Sequence, residues 1–281
     1  MGKTVFIDFD GTFADHGVAP RRHVEAVREA QARGHRMLLC TGRARCMVTP
    51  DLLELFDGLV GSAGAYVEVA GRVLADHRFP PELAERTIAL LDANDVGYVL
   101  EAPGGLYGPA DAAERARRAL TVTAAGDDSS GEETVARHIE EALQLDGAAN
   151  EQLFAKVACF DAAVPLREVA AQLAPEVGFV PSSLAILGDR AGEFHLASIT
   201  KAAGIAAVEE HFGIEHSDTV AIGDGFNDLE MLDYAGTAVA IEGSPEPVLR
   251  RADLVVPPPA RHGIVAAFAA LGLIAQPALQ H

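Results

Sequence analysis

The apolar residues of this chain fall into short continuous runs, separated by segments with apolar positions at helical spacing. Val5-Phe6-Ile7 is the first run and Met37-Leu38-Leu39-Cys40 the second. Between them Arg22–Arg33 predicts an amphipathic helix, closed by Gly34. Leu59–Val60 predicts a third strand, and Tyr66–Val69 with Val73–Ala75 a hairpin around Gly71. Apolar strands that alternate with amphipathic helices signal a parallel sheet covered on both faces.

Pro80-Pro81 breaks this pattern, since neither residue has a backbone N–H to donate. Beyond it a helix is predicted near Glu82–Ala93, then strands at Tyr98–Glu101 and Leu106–Tyr107, a helix near Ala110–Leu120 and a polar loop over Gly126–Glu132. Strands at Lys156–Phe160 and Leu184–Leu187 bracket a helix near Leu166–Leu173. Glu193–Ala197 is expected to pair with Leu184–Leu187 across Gly188–Gly192. From Thr200 the first style returns, with helices at Lys201–Phe212, Asp228–Ala235 and Ile264–Leu273 and strands at Thr219–Ile222, Ala238–Ala240 and Leu254–Val256. The expected fold class is α/β: a parallel-sheet core made of residues 1–80 plus 189–281, interrupted by a smaller α/β domain over 81–188.

Composition narrows the partners. The 281 residues are 49% apolar, which suits two compact domains or one large one. Forty-one acidic against 22 basic residues give a net charge of −19, which argues against nucleic acid or an anionic membrane surface, because phosphate backbones demand lysine and arginine. Cys40, Cys46 and Cys159 are odd in number and lack metal-type clustering, which fits a reducing cytoplasm better than a disulfide framework. Met1-Gly2-Lys3-Thr4 runs straight into a strand, unlike a signal peptide. The longest apolar stretch, Ile264–Ala275, is about half of the ~20 residues a membrane span needs. A soluble cytoplasmic protein is expected.

Three of the predicted strands end in unusual polar residues. The first delivers Asp8-Phe9-Asp10-Gly11-Thr12, the second Thr41-Gly42-Arg43, and the strand at Thr219–Ile222 delivers Gly223-Asp224-Gly225-Phe226-Asn227-Asp228. In an open parallel sheet the strand C-termini share one edge, where ligands bind, so these groups are expected to converge. Taken singly, the acids read as turn or helix-capping residues; taken together, they crowd negative charge that a cation must relieve. Oxygen ligands with no histidine or cysteine beside them suit Mg²⁺ rather than zinc. Lys201 opens a helix, where the macrodipole disfavours a cation. It is expected to neutralise an anion there, either a substrate phosphate or a nucleophilic carboxylate. Thr41 and Gly42 offer a hydroxyl and backbone N–H groups to phosphate oxygens. Gly223-x-Gly225 does not extend to a dinucleotide fingerprint, because Asp228 stands where the third glycine belongs.

Those four stretches, in that order, resemble the motifs of the haloacid dehalogenase (HAD) superfamily. The large insert, with Glu193 to Lys201 and Arg261-His262-Gly263, resembles its Cof-type branch, which includes sugar-phosphate phosphatases. The resemblance implies a Rossmannoid core with an α/β cap that selects the substrate. It implies a Mg²⁺-dependent phosphatase acting on a small phosphorylated metabolite. Asp8 would be the nucleophile that forms an aspartyl phosphate, and Asp10 the general acid and base. Asp8, the Asp10 carbonyl and Asp224 would hold Mg²⁺, with Asp228 direct or through water. Gly11, Thr41, Gly42, Lys201 and Asn227 would serve the phosphoryl end of the site. Arg43 would bind substrate or neutralise neighbouring acids.

One departure stands out. The branch usually shows Asn-Gly-Ala after the third strand, where this chain has Ala63-Gly64-Ala65, so a contact near the substrate or the cap is expected to be missing. His195 and His262 read as structural histidines, and Cys40 as a buried strand residue. The competing reading is a non-catalytic metabolite- or metal-binding protein that retains the fold. A mutase would carry a smaller helical cap, and a cation-pumping ATPase would need membrane helices.

Overall fold

The structure, a computed structural model, describes residues 2–123, 143, 153–182 and 185–275. The polar loop expected over Gly126–Glu132 lies outside these. The chain divides into two compact units: residues 1–42, 49–75 and 200–281 form the first, and 43–48 with 76–199 the second.

The first unit is built on an eight-stranded sheet. Its strands are β1 (Thr4–Ile7), β2 (Arg36–Cys40), β3 (Gly58–Gly61), β4 (Tyr66–Val69) and β5 (Arg72–Asp76), then β11 (Thr219–Gly223), β12 (Ala238–Ile241) and β13 (Leu254–Val256). Their order is β13-β12-β11-β1-β2-β3-β4-β5. Pairing is parallel from β13 through β3, and β4 joins β3 antiparallel. All four residues of β1 are buried, as a central strand covered on both faces requires.

Helix α1 (Arg21–Ala32) buries His23, Ala26, Val27 and Ala30, one stripe at helical spacing. Its end is a Schellman turn: Gly34 takes φ +87° while the N–H groups of Gly34 and His35 donate to the carbonyls of Gln31 and Ala30. The sequence also hides a short helix, α2 (Pro50–Leu55), too brief to show periodicity.

The second unit carries a five-stranded sheet of order β7-β6-β8-β10-β9, antiparallel at each pairing given: β6 (Gly97–Ala102), β7 (Gly105–Tyr107), β8 (Lys156–Phe160), β9 (Val177–Pro181) and β10 (Gly192–Leu196). Helices α3 (Pro81–Ala93), α4 (Ala112–Thr123) and α5 (Leu166–Ala171) belong to it. It has its own apolar core, in which Phe79, Leu91, Leu100, Phe154, Val157, Leu166 and Phe194 are buried.

Three expectations fail here. Leu184 lies outside the described residues, and Glu193–Ala197 does not pair with residues 185–187. Its partner is Val177–Pro181, with Phe194 opposite Phe179, and residues 185–190 form a helical turn kinked at Gly188. In the sequence Ala185-Ile186-Leu187 reads as a strand, but a strand needs a register partner, and Val177-Gly178-Phe179-Val180 takes it. The boundary at 189 therefore falls too early: β10 pairs with β8 as well as β9, so 189–199 fold with the second unit. Segment 43–48, expected in the core, also folds with the second unit, where Cys46 Sγ donates to the Ala102 carbonyl at 3.4 Å.

In the first unit the remaining helices are α6 (Lys201–Phe212), α7 (Leu229–Tyr234), α8 (Glu246–Leu249) and α9 (Gly263–Ala270). Among the described residues, no helix is long and apolar enough to cross a membrane.

Candidate active site

The order of the large sheet fixes where a site forms. From β1 the chain builds outward through β2 and β3 on one side, and through β11, β12 and β13 on the other. The reversal lies between β1 and β11, and at such a switch point the strand ends leave a crevice. Ile7 pairs with Ile222, so Asp8 and Gly223 leave the sheet side by side, and the Asp8 N–H donates to the Ile222 carbonyl at 2.9 Å.

Beyond Asp8 the backbone makes one helical turn. The Phe13 N–H donates to the carbonyls of Asp8 and Phe9, and the Ala14 N–H to that of Phe9. Asp8 is buried, whereas Asp10 and Gly11 are exposed at the turn. Gly11 has φ +84°, and a Cβ there would stand 2.4 Å from Asp224 Oδ2, so glycine is required on two counts. Thr12, fully buried, donates its hydroxyl to Asp224 Oδ1 at 2.6 Å. Motif reading alone gave Thr12 no role; a hydroxyl next to a glycine turn was the available signal.

Lys201 is the centre of the charge network. Its Nζ lies 2.6 Å from Asp8 Oδ1 and 2.5 Å from Asp228 Oδ1, with its side chain wholly buried. Asp228 in turn accepts the N–H groups of Asp224 and Gly225 on Oδ2, at 2.9 and 2.8 Å. Both Asp228 oxygens are thereby engaged. Gly223 must be glycine, because a Cβ would stand 2.6 Å from the Asp228 carboxylate.

Three carboxylates cluster here and two of them hold one ammonium, and their electrostatics follow. Burial works against the charge on Lys201, but Asp228 and Asp8 outweigh it and hold its pKa well above the ordinary value. Burial and the neighbouring carboxylate of Asp228 push the Asp8 carboxyl well above the usual range, against the pull of Lys201. Burial lifts Asp224 to about 6, although the Thr12 hydroxyl pulls the other way. The cluster is thus short of positive charge. Asp8, Asp224 and Asp228 each offer an oxygen within 4.8 Å of the others, a hard, all-oxygen donor set that fits Mg²⁺. The free lone pairs are those of Asp8 and Asp224, since Asp228 is committed to Lys201 and the two amides.

The start of α6 is held by an unusual turn. Ser62, Ala63 and Gly64 all have positive φ, at 47°, 55° and 102°. A Cβ on Gly64 would stand 2.0 Å from the Thr200 carbonyl oxygen, so this turn abuts the residue before Lys201. The Ala63 N–H donates to the Thr41 carbonyl, tying the turn to the end of β2. Thr41 is buried and Gly42 half-buried there. Asn227 is half-buried beside the exposed Phe226. Arg43 begins the segment that folds with the second unit.

The first unit thus brings together Asp8, Gly11, Lys201, Asp224 and Asp228, from three separate stretches of sequence. Comparison with known proteins gives the family. Residues 5–268 match the haloacid dehalogenase-like hydrolase family. The chain is 28% identical over 278 residues to the Bacillus subtilis (strain 168) protein named "Putative phosphatase YkrA", covering 97% of this chain and 98% of that one. It is 27% identical to a phosphoglycolate phosphatase of Methanopyrus kandleri over 259 residues, 91% of each chain. A crystal structure of a hypothetical protein from Geobacillus kaustophilus HTA426 superposes with a TM-score of 0.80 at 26% identity, covering 98% of this chain and 100% of that one. The HAD subclass IIB sugar phosphatase BT4131 shares the fold at a TM-score of 0.77 and 23% identity, over 97% of this chain and all of that one. A buried lysine ringed by carboxylates at a sheet switch point, and a family match over nearly the whole length, lead to one conclusion: this chain belongs to the haloacid dehalogenase-like hydrolases.

Proposed function

We propose that this hydrolase is a Mg²⁺-dependent phosphatase that cleaves a small phosphomonoester, a sugar phosphate or related metabolite, through an aspartyl phosphate on Asp8. The observation that carries the reading is Asp8 itself, a buried carboxylate held 2.6 Å from the Lys201 ammonium with Asp224 close by. Phosphatase names among the relatives support the reaction class.

In this mechanism an Asp8 oxygen attacks phosphorus as the bond to the leaving oxygen breaks. Asp10, exposed at the turn, gives its proton to that leaving oxygen. As a carboxylate it then takes a proton from the water that attacks the phosphoryl group, releasing inorganic phosphate and restoring Asp8. Lys201 stays charged and neutralises the nucleophile's end of the site, while Gly11, Thr41, Gly42 and Asn227 serve the phosphoryl oxygens, and Arg43 the substrate. Mg²⁺, held by Asp8, the Asp10 carbonyl and Asp224, would supply Lewis-acid neutralisation of phosphoryl charge. Asp228 acts by orienting Lys201 and the 223–225 turn.

The second unit serves as the cap that selects the substrate. Three free cysteines suit a reducing cytoplasm, and the acidic chain neither a nucleic acid nor a membrane partner. Phosphate release from a panel of phosphomonoesters, with and without EDTA, tests the proposal. Chelation should abolish turnover and Asp8→Asn should eliminate it; full activity in either case would overturn the mechanism.

A further inference from the structure

The turn that carries the nucleophile ends in a buried carbonyl. Phe13 is fully buried, and its N–H already donates back to Asp8 and Phe9. Its C=O is buried with it, and a buried carbonyl requires a donor. The donor is His23, fully buried on α1, whose Nδ1 lies 2.8 Å from the Phe13 oxygen. On its other side the Ile264 N–H points at His23 Nε2 at 3.4 Å. Ile264 sits in the first turn of α9, where amides have no partner within the helix, and no side chain of α9's own caps it.

The two partners fix the chemistry of the ring. A carbonyl only accepts, so Nδ1 must carry hydrogen; an amide only donates, so Nε2 must be bare. Neutral imidazole offers one donor and one acceptor on opposite sides of a rigid ring, which suits it to both orphan groups at once. The Phe13 ring lies against the His23 ring at 5.7 Å and against Phe56 at 5.1 Å, and His262 faces His23 at 6.4 Å. Burial, with His262 nearby, lowers the pKa of His23 while its bond to Phe13 pulls the other way.

We propose that His23 is a positioning residue for phosphoryl transfer, a neutral Nδ1–H clamp that fixes the Asp8–Phe13 turn against the start of α9. His23 touches no reacting atom. It acts through the Phe13–Ala14 peptide, whose N–H holds the Phe9 carbonyl, and through Phe13, whose own N–H holds the Asp8 carbonyl, and so sets where the nucleophile stands. The kinetic part of this inference rests on the phosphatase reading above; the tautomer and the clamp do not.

The test compares His23→Leu, which removes both bonds, with His23→Asn, whose amide nitrogen replaces Nδ1. In the full-length protein labelled with ¹⁵N-histidine, His23 should show the Nδ1–H tautomer. His23→Leu should speed amide exchange at Phe13 and Ala14 and lower kcat about tenfold to a hundredfold with KM little changed, as expected for a misplaced nucleophile. His23→Asn should recover most of the lost kcat and exchange protection. An Nε2–H tautomer, or equal kcat in all three proteins, would overturn the proposal. If the wild type hydrolyses no phosphomonoester while tautomer and exchange behave as stated, the clamp stands and the phosphatase reading fails.

Discussion

Lys201 answers two carboxylates at once, so its removal has a cost that can be stated. In Lys201→Met, Asp8 and Asp228 would face each other in a buried site without a counter-charge. Breaking a buried ion pair costs about 3–5 kcal/mol, and a urea titration should show a loss of that order. Asp224 gives a prediction with a definite sign. Its pKa rises from an ordinary 3.8 to about 6 in the metal-free protein, so the folded state holds a proton that the unfolded chain has released. Metal-free stability should therefore fall as pH rises from about 4 to about 6. Mg²⁺ needs the ionised form, so its affinity should weaken as pH drops through that range, measured by calorimetric titration at several pH values. These residues were legible in the sequence because carboxylates at strand ends have no structural reason to recur. His23 was not legible. A histidine on the apolar stripe of a helix reads as packing until a carbonyl and an amide are found on its two sides.

At the scale of elements, the strained turn before β4 shows what the departure at Ala63 costs. Ala63 lies at φ 55°, ψ 34°, the left-handed region that asparagine and glycine tolerate better than alanine. Asparagine at this position in the Cof-type branch thus has a conformational reason beside any contact it makes. Ala63→Gly should stabilise the protein by about 1 kcal/mol, read by thermal or urea unfolding. Gly64→Ala should do the reverse by more than about 1 kcal/mol, because φ is +102° and the Thr200 carbonyl occupies the space a Cβ needs. It should also depress activity, since that carbonyl immediately precedes Lys201. The sequence marked α6 by its lysine and its periodicity. It did not mark the turn that aims it, because only Gly64 of Ser62-Ala63-Gly64 favours positive φ, and a single glycine does not announce a run of three.

At the scale of the whole molecule, the two units have separate cores and separate vulnerabilities. In the second, Lys156 is buried on β8, 2.9 Å from Glu193 on β10 and 3.3 Å from Glu101 on β6. Burial, against the pull of Lys156, lifts Glu101 to about 7, so this group's contribution to stability falls as pH rises from about 4.5 to about 7. Lys156→Met removes that pull, and its loss of Tm should be larger above pH 7 than near pH 4.5. The alternation of strand and helix revealed the core and its interruption. It misplaced the second boundary, because β10 and the core strands share the same local pattern and only pairing partners tell them apart. The same non-local pairing has a consequence during synthesis. Thr12 and Asp224, joined by a hydrogen bond, stand 212 positions apart, and β1 meets β11 only after the intervening domain has emerged. Until then one flank of the first strand waits without a neighbour on the ribosome. A nascent chain truncated before Thr219 should be an aggregation-prone client of chaperones, inert toward metal and substrate alike.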